Sequence, residues 1–183
     1  MPHRTMAETL DGFGDLLDEF DEIARSAHAR YRAYNPADLL EHDPRAQAAC
    51  TYSHMLAASD RLFIGRDGVR PLEIRGLKVW LFEALNAVIR LKKMDEDGRS
   101  RNYPTKQAED YDAQRQLPGL PMPPIRLTVG YLLDPTGANY SRTQIARPAT
   151  RRSAVWCAAI VSREERKPGE RVWYDVAAPR FVP

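Results

Sequence analysis

The chain has 183 residues, of which 43% are hydrophobic and 28% are charged, and its formal net charge is +2. This length and composition are typical of one globular domain or two small ones and exclude a disordered chain. No stretch reaches the roughly 18 consecutive apolar residues of a membrane helix, so we expect no membrane partner.

The charge is divided unevenly along the chain. Residues 1–62 contain 6 arginines, no lysines and 11 acidic residues, a net charge of −5. Residues 63–183 contain 21 basic and 14 acidic residues, a net charge of +7. A basic half is typical of proteins that contact nucleic acid, but two oppositely charged halves can also complement each other within one molecule.

Two features predict the compartment. Cys50 and Cys157 lie far apart, one in each half of the chain, and the N-terminus leads into an acidic segment rather than an apolar secretory signal. We therefore expect a reduced, cytoplasmic protein without a disulfide.

The first half is predicted to be helical. Residues 7–34 are expected to form one long helix, because apolar residues recur every three or four positions. The resulting coiled-coil-like seam includes Leu10, Phe13, Leu17 and Phe20. It packs either on the next helix of the same chain, which we favour, or on a second copy. That next helix is expected from Pro44, after the N-cap residue Asp43, and to fold back as a hairpin.

The densest apolar run covers residues 72–94, with Trp80 and Phe82 in its middle. Its apolar residues cover nearly all faces of a helix, which predicts a buried central helix. Gly76 would weaken this helix by about 1 kcal/mol relative to alanine. We expect this helix to connect the helical hairpin with the second half of the chain.

A polar joint is predicted at residues 95–124. It should contain a short helix from Lys106 to about Gln116, capped by Thr105. Four prolines in residues 117–124 predict an extended, polyproline-like segment.

The period of the apolar residues becomes two from Ile125, which predicts a β-strand. A tight turn is expected at residues 134–137, followed by a more polar return strand nearer the sheet edge. Residues 153–161 should form a central strand, and residues 171–176 the last one. The predicted fold class is α+β with a small antiparallel sheet. Its parts are a helical region at 1–94, the joint at 95–124 and the sheet at 125–183, within one compact domain.

Cysteine and histidine residues offer one candidate metal site. Cys50 and His54 share a helix face and His42 precedes them; thiolate and imidazole are the ligands that zinc prefers. The alternative is a small buried cysteine and ordinary helix histidines. Because no second tight ligand pair is present, we predict no metal and no other cofactor, and keep these three residues as candidates.

No catalytic motif is recognisable. The carboxylates at residues 95–97 and those flanking Tyr111 lack a partner that would make them a reactive constellation. No glycine-rich nucleotide loop is present either. We therefore expect a protein without enzymatic activity and assign no catalytic residues.

Basic residues of the second half are candidates for nucleic-acid binding, since arginine and lysine neutralise phosphates and Tyr103 or Tyr140 could stack on an unpaired base. These basic residues are Lys92, Lys93, Arg99, Arg101, Lys106, Arg142, Arg147, Arg151 and Arg152. The alternative is a solvated surface with ion pairs to the acidic half.

Four segments and two residues of the second half carry a resemblance to a group of known proteins. They are residues 91–94 (Leu-Lys-Lys-Met), 100–107 (Ser-Arg-Asn-Tyr-Pro-Thr-Lys-Gln), 117–121 (Leu-Pro-Gly-Leu-Pro) and 127–134 (Leu-Thr-Val-Gly-Tyr-Leu-Leu-Asp), with Trp156 and Ile160. Together they resemble small bacterial proteins of mobile-element or stress-response operons, some encoded beside a repressor and a repressor-cleaving zinc metallopeptidase. The resemblance covers about half of the chain and implies a regulatory or interaction role.

The sequence thus favours a non-enzymatic regulatory protein of a bacterial or phage module that binds another protein or a second copy of itself. Nucleic-acid binding through the basic joint and hairpin is the alternative. A metal-dependent function through His42, Cys50 and His54 is the second alternative.

Overall fold

The structure is a computed structural model, and it describes residues 4–74, 76–101, 105–115 and 124–177. Over these residues the chain forms five helices and seven strands. The helices are α1 (Met6–Phe13), α2 (Leu16–Arg32), α3 (Pro36–Glu41), α4 (Pro44–Phe63) and α5 (Lys106–Asp112). The strands are β1 (Val69–Ile74), β2 (Leu77–Phe82), β3 (Ala87–Lys93), β4 (Ile125–Leu133), β5 (Tyr140–Thr150), β6 (Ser153–Ile160) and β7 (Trp173–Asp175).

All seven strands belong to one sheet, in which their spatial order follows their order in the chain. Neighbouring strands are antiparallel except β3 and β4, which run parallel in a register that pairs Arg90 with Thr128. A parallel pair needs a long crossover, and here the crossover contains α5. The α+β class is therefore confirmed, while the sheet is larger than predicted and mixed.

The sheet is covered on both faces. On one face α1, α2 and α4 pack against alternate residues of the central strands, such as Ile89 and Leu127. On the other face Tyr111 of α5 packs against Val79 and Val88. The core is thus divided into two layers by the sheet, and α5 alone among the described helices lies on the second face.

The predicted buried central helix at residues 72–94 is wrong, because this segment forms β1, β2 and β3. The helical region ends at Phe63, so the predicted boundary at residue 94 is also wrong. A strand covered on both faces is apolar at every position, which is also the pattern of a buried helix. Gly76, read as a helix weak spot, adopts a φ of +81° between β1 and β2.

The predicted long helix at residues 7–34 is broken into α1 and α2 at Gly14 and Asp15. The predicted seam residues do not form an exposed interaction surface, because all of them are buried in the core of this chain. These buried residues are Leu10, Phe13, Leu17 and Phe20. Phe20 contacts Phe63 of α4 and Phe82 of β2, with ring centroids 6.1 and 5.8 Å apart.

Several predictions for the second half are confirmed and one is wrong. The helix from Lys106, the strand from Ile125, the turn after Leu133 and the last strand are all present. The return strand β5 is not near an edge, since it pairs with β4 and β6 in the interior of the sheet. The predicted polyproline segment lies mostly outside the described residues.

The acidic helices form ion pairs with basic residues at the far end of the sheet and in nearby loops. Asp18 pairs with Arg163 at 3.1 Å and with Arg166, and Asp11 pairs with Arg171 at 3.2 Å. The two oppositely charged halves of the chain therefore do complement each other. None of the residues predicted to bind nucleic acid takes part in these pairs.

Candidate nucleic-acid interface

A tight loop of residues 94–101, the arginine loop, follows β3 and precedes α5. The Asp95 carboxylate stabilises it from inside: Oδ1 accepts the backbone N–H groups of Asp97 and Arg99 at 3.1 and 2.9 Å, and Oδ2 accepts from Arg99 Nε at 2.8 Å. The Arg101 N–H donates to the Lys93 carbonyl at 2.9 Å, which returns the chain beside β3. The loop conformation is thus fixed by its own hydrogen bonds.

Gly98 fixes the arginine loop against the sheet. Its φ is +75°, and a Cβ at this position would lie 2.6 Å from Sγ of Cys157 and 3.0 Å from Cβ of Ala146. The Gln144 side chain adds a hydrogen bond from Nε2 to the Asp95 carbonyl at 2.8 Å. Burial raises the pKa of Cys157 to about 12, so this thiol is neutral at pH 7 and serves as packing.

Four arginines surround a cavity of about 550 Å³ beside the arginine loop. Arg99 and Arg101 come from the loop, and Arg151 and Arg152 come from the turn between β5 and β6. The remaining lining residues are Ser100 and one carboxylate, Asp95. The lining therefore carries a clear excess of positive charge, which favours an anionic ligand.

The four arginines differ in how they are already engaged. Arg99 is held by Asp95 at 2.8 Å and by Asp97 at 2.5 Å. Arg101 lies 3.9 Å from Asp95, and its side chain is 70% exposed. Within the described part of the chain, Arg151 and Arg152 form no ion pair within 4 Å. The guanidinium groups of Arg101, Arg151 and Arg152 thus have most of their hydrogen-bond donors available to a ligand.

A buried arginine lies directly behind the wall of this cavity. Arg90 on β3 is 1% exposed, and its Nη2 donates to Oγ of Ser100 at 2.9 Å and to the carboxylate of Asp112. Its Nε donates to Oγ1 of Thr128 at 3.0 Å. Burial raises the pKa of Asp112, although the Arg90 guanidinium opposes this shift. The lining residue Ser100 is therefore connected by a hydrogen bond to a charged group of the protein interior.

A second buried arginine, Arg126, lies on the same face of the sheet. Its guanidinium is 5.9 Å from the ring centroid of Tyr111, and that of Arg90 is 4.4 Å from the same ring. Arg126 Nη1 donates to the Asp110 carbonyl at 2.8 Å rather than to a carboxylate. Burial lowers the pKa of Arg126 and raises that of Tyr111. Beneath α5 the buried Asp112 carboxylate therefore pairs with Arg90, whereas the Arg126 guanidinium forms no ion pair with a described carboxylate.

A second cavity of about 880 Å³ shares Asp95, Arg99 and Arg101 with the first, so the two adjoin. It extends between the start of α4 and the turn between β4 and β5. Its lining carries both signs of charge and apolar groups; it includes His42, Arg45, Lys93, Glu96, Leu132, Asp134 and Pro135. Hydrogen bonds from Thr136 and Asn139 lower the pKa of Asp134 to about 2. This cavity suits a ligand that is polar but not uniformly anionic.

The structure brings together five of the nine basic residues predicted to bind nucleic acid. Arg99, Arg101, Arg151 and Arg152 line the first cavity, and Lys93 lines the second. Burial lowers the pKa of Lys93, and the neighbouring Arg101 lowers it further.

The other four predicted basic residues do not line either cavity. Lys92 Nζ lies 4.7 Å from the ring centroid of Tyr52, and burial lowers its pKa to about 8. Lys106 is exposed in the first turn of α5, and Arg147 is half-buried on β5. Arg142 Nε donates to Oε1 of Gln144 at 2.8 Å.

Of the two aromatic residues proposed for base stacking, Tyr103 lies outside the described residues, and Tyr140 does not line either cavity. The Tyr140 hydroxyl donates to Asp21 at 3.0 Å, and Arg25 lies 4.9 Å from its ring centroid, so this side chain belongs to the contact between α2 and β5.

Sequence reasoning missed Arg90 because it read β3 as helix, and for the same reason it found no partner for the Asp112 carboxylate. It assigned no role to Ser100. An arginine between Ile89 and Leu91 in a strand would point away from the apolar face that its neighbours share. That alternation is the feature from which the buried charge could have been found.

The candidate metal ligands are not brought together. His42 Nδ1 is 3.3 Å from the hydroxyl of Tyr31, and His54 Nε2 is 2.8 Å from the hydroxyl of Tyr34. Burial lowers the pKa of His54. Among the residues that the structure describes, no three His, Cys, Asp or Glu side chains are grouped to hold a metal ion. The histidines pack against tyrosines instead, and Cys50 is a half-buried free thiol.

Comparison of the chain with protein-family models, with curated proteins and with solved structures gives no match. None of the described helices combines the length and the apolar composition needed to cross a membrane. The function must therefore be argued from the site itself.

Proposed function

We propose that the protein binds nucleic acid through the first cavity and the arginine loop. The observation that supports this proposal is the convergence of four arginines, from two segments distant in the sequence, on one cavity whose described lining contains a single carboxylate. Arginine suits this task because its planar fork donates two parallel hydrogen bonds to a phosphate.

The competing explanation was a surface whose basic residues pair with the acidic helices. The ion pairs of α1 and α2 with the rest of the chain use other arginines, which lie in the loops before β1 and before β7. The arginines at the first cavity are left with solvent-accessible guanidinium groups, and this availability favours an external anion.

The test is fluorescence anisotropy of internally labelled single-stranded and double-stranded oligonucleotides, titrated at several salt concentrations. Replacing Arg151 and Arg152 by glutamate should weaken binding by at least about tenfold in low salt, since two phosphate contacts are lost. The slope of log K against log salt should become less negative by about 1–2 for the same reason.

The matched control carries Arg61→Glu and Lys167→Glu, which change the net charge equally at two exposed positions outside both cavities. It should keep most of the affinity if the site rather than the overall charge attracts the ligand. Absence of binding to any oligonucleotide in low salt, or equal weakening by both double variants, would refute the proposal.

The regulatory, protein-binding function expected for a bacterial or phage module stays a prediction. The buried seam residues of α1 and α2 no longer support it. A metal-dependent function likewise has no grouped ligands in the described residues to support it.

A further inference from the structure

The first cavity has properties that distinguish between kinds of phosphate. Its arginines converge on one concave site instead of following a stripe along the surface. A backbone phosphodiester carries one negative charge, whereas a terminal phosphate monoester carries about −1.5 to −2 at pH 7 and has three strong acceptor oxygens. The higher charge and the three acceptor oxygens of the monoester match the closely placed arginine donors better than a phosphodiester does.

Ser100 provides a second, independent observation. Its Oγ already accepts a hydrogen bond from Arg90 Nη2 at 2.9 Å. A serine hydroxyl also has one hydrogen to donate, and among the described residues the Ser100 hydroxyl donates no hydrogen bond. Ser100 therefore offers a donor at the cavity wall, polarised by a guanidinium that is 1% exposed. Such a donor suits a ligand that only accepts hydrogen bonds.

The second cavity adjoins the first and therefore offers space for the part of the ligand next to the phosphate. A terminal phosphate in the first cavity would be followed by the sugar and base of the end nucleotide, which are polar but uncharged, before the next phosphodiester. The adjoining 880 Å³ space, with its mixed charges and apolar groups such as Leu132 and Pro135, is large enough for them. Both cavities are open to solvent, so the end of an unpaired strand, whose base can be splayed out, can reach them.

We infer that the site recognises the phosphorylated end of a single-stranded nucleic acid, with the terminal monoester held by Arg101, Arg151, Arg152 and Ser100. This inference rests on the proposed function, of which it names the ligand. The terminus can be 5′ or 3′, because the chemistry of the monoester is the same at both ends.

The experiment is a competition assay with the full chain, in which an internally labelled strand with phosphates at both ends is displaced by unlabelled strands of the same sequence. The competitors carry a 5′-phosphate, a 3′-phosphate or hydroxyl groups at both ends; a blunt duplex and a free nucleoside monophosphate complete the series. One of the two monophosphorylated strands should bind at least about tenfold more tightly than the dihydroxyl strand, because charge-assisted hydrogen bonds to the monoester are lost without it. The preference should decrease below about pH 6, where the monoester takes up a proton.

Ser100→Ala should reduce this preference severalfold, while Ser53→Ala, which removes an exposed hydroxyl on α4, should not change it. Equal affinities for the phosphorylated and dihydroxyl strands would overturn the inference and leave the proposed function standing. Failure of every strand to bind would overturn both. Tight binding of the nucleoside monophosphate with no gain from the longer strand would also overturn the inference, since the ligand would then be a free nucleotide.

Discussion

Replacement of Gly98 by alanine should destabilise the protein through two separable effects. The first is the positive φ of +75°, which costs a residue with a Cβ about 1–2 kcal/mol. The second is steric: the new Cβ would lie 2.6 Å from Sγ and 2.8 Å from Cβ of Cys157. Overpacking of this kind costs about 1–3 kcal/mol, so the free energy of unfolding should fall by about 2–5 kcal/mol in total.

Gly169 supplies the matched control for this substitution. Its φ is +80°, but no atom lies within 4 Å of the position that a Cβ would occupy. Gly169→Ala should therefore show the backbone effect alone, about 1–2 kcal/mol. Both variants can be compared by urea denaturation followed by the fluorescence of the three tryptophans.

Truncation of the opposing side chain separates the steric effect further. In the Gly98→Ala, Cys157→Ala double variant the closest atom, Sγ, is absent, while Cβ of residue 157 remains. The double variant should be about 1 kcal/mol more stable than the sum of the single effects predicts. If Gly98→Ala lowers the free energy of unfolding no more than Gly169→Ala does, the arginine loop does not pack on β6. The positions of Arg99 and Arg101 are then not fixed by this contact.

Two further predictions concern charged residues of β3 that are shielded from solvent, Arg90 and Lys92. Asp112→Ala should lower the free energy of unfolding by about 3–5 kcal/mol, because it leaves Arg90 buried without its carboxylate. Asp110→Ala, two residues away, should cost less than about 1 kcal/mol, since its partner Arg115 is exposed; equal costs would contradict the buried pair. Burial depresses the pKa of Lys92 to about 8 in the folded protein. The contribution of Lys92 to the free energy of unfolding is therefore present above its pKa in the unfolded chain and is lost as the pH falls through about 8. Relative to Lys92→Met, the wild-type free energy of unfolding should therefore rise by about 1–2 kcal/mol between about pH 7.5 and 9.5, and a flat difference would show that Lys92 is solvated.

The elements that the sequence predicts correctly are those defined by local chemistry. Asp43 followed by Pro44 marks the start of α4, and the Asp43 side chain indeed accepts the N–H groups of Arg45 and Ala46. The alternation from Ile125 likewise defines β4, because the change of period is visible within a few residues. Such features need no knowledge of what the segment packs against.

The first three strands could not be predicted in this way, because their pattern depends on tertiary context. Trp80 and Phe82 face the helical layer, while Val79 and Leu81 face α5. Because both faces of β2 are covered, residues 79–82 are apolar at every position, and no polar residue there reveals the period of two. The β-branched residues Val88 and Ile89 were the remaining indication of strand in that stretch.

Residues of the candidate site could be predicted from the sequence, but their proximity in space could not. Basic residues near the joint and the hairpin were identified, yet their convergence depends on the parallel pairing of β3 with β4. That pairing brings Arg90 beside Thr128, 38 residues away, and sets the arginine loop beside the turn that carries Arg151. Sequence spacing alone contains no information on this register.

The parallel pairing of β3 and β4 also has a consequence for how the molecule assembles. Among the described strands, β1 to β3 and β4 to β7 are two meanders in which each strand pairs with its sequence neighbour, and such local pairings form early. Joining the meanders requires closure of the long crossover, which costs conformational entropy. Since the arginine loop and the turn between β5 and β6 belong to different meanders, the cavity between them requires that the two meanders be paired. Ligand affinity would thus depend on complete folding, and a bound ligand would stabilise the parallel pairing of β3 with β4.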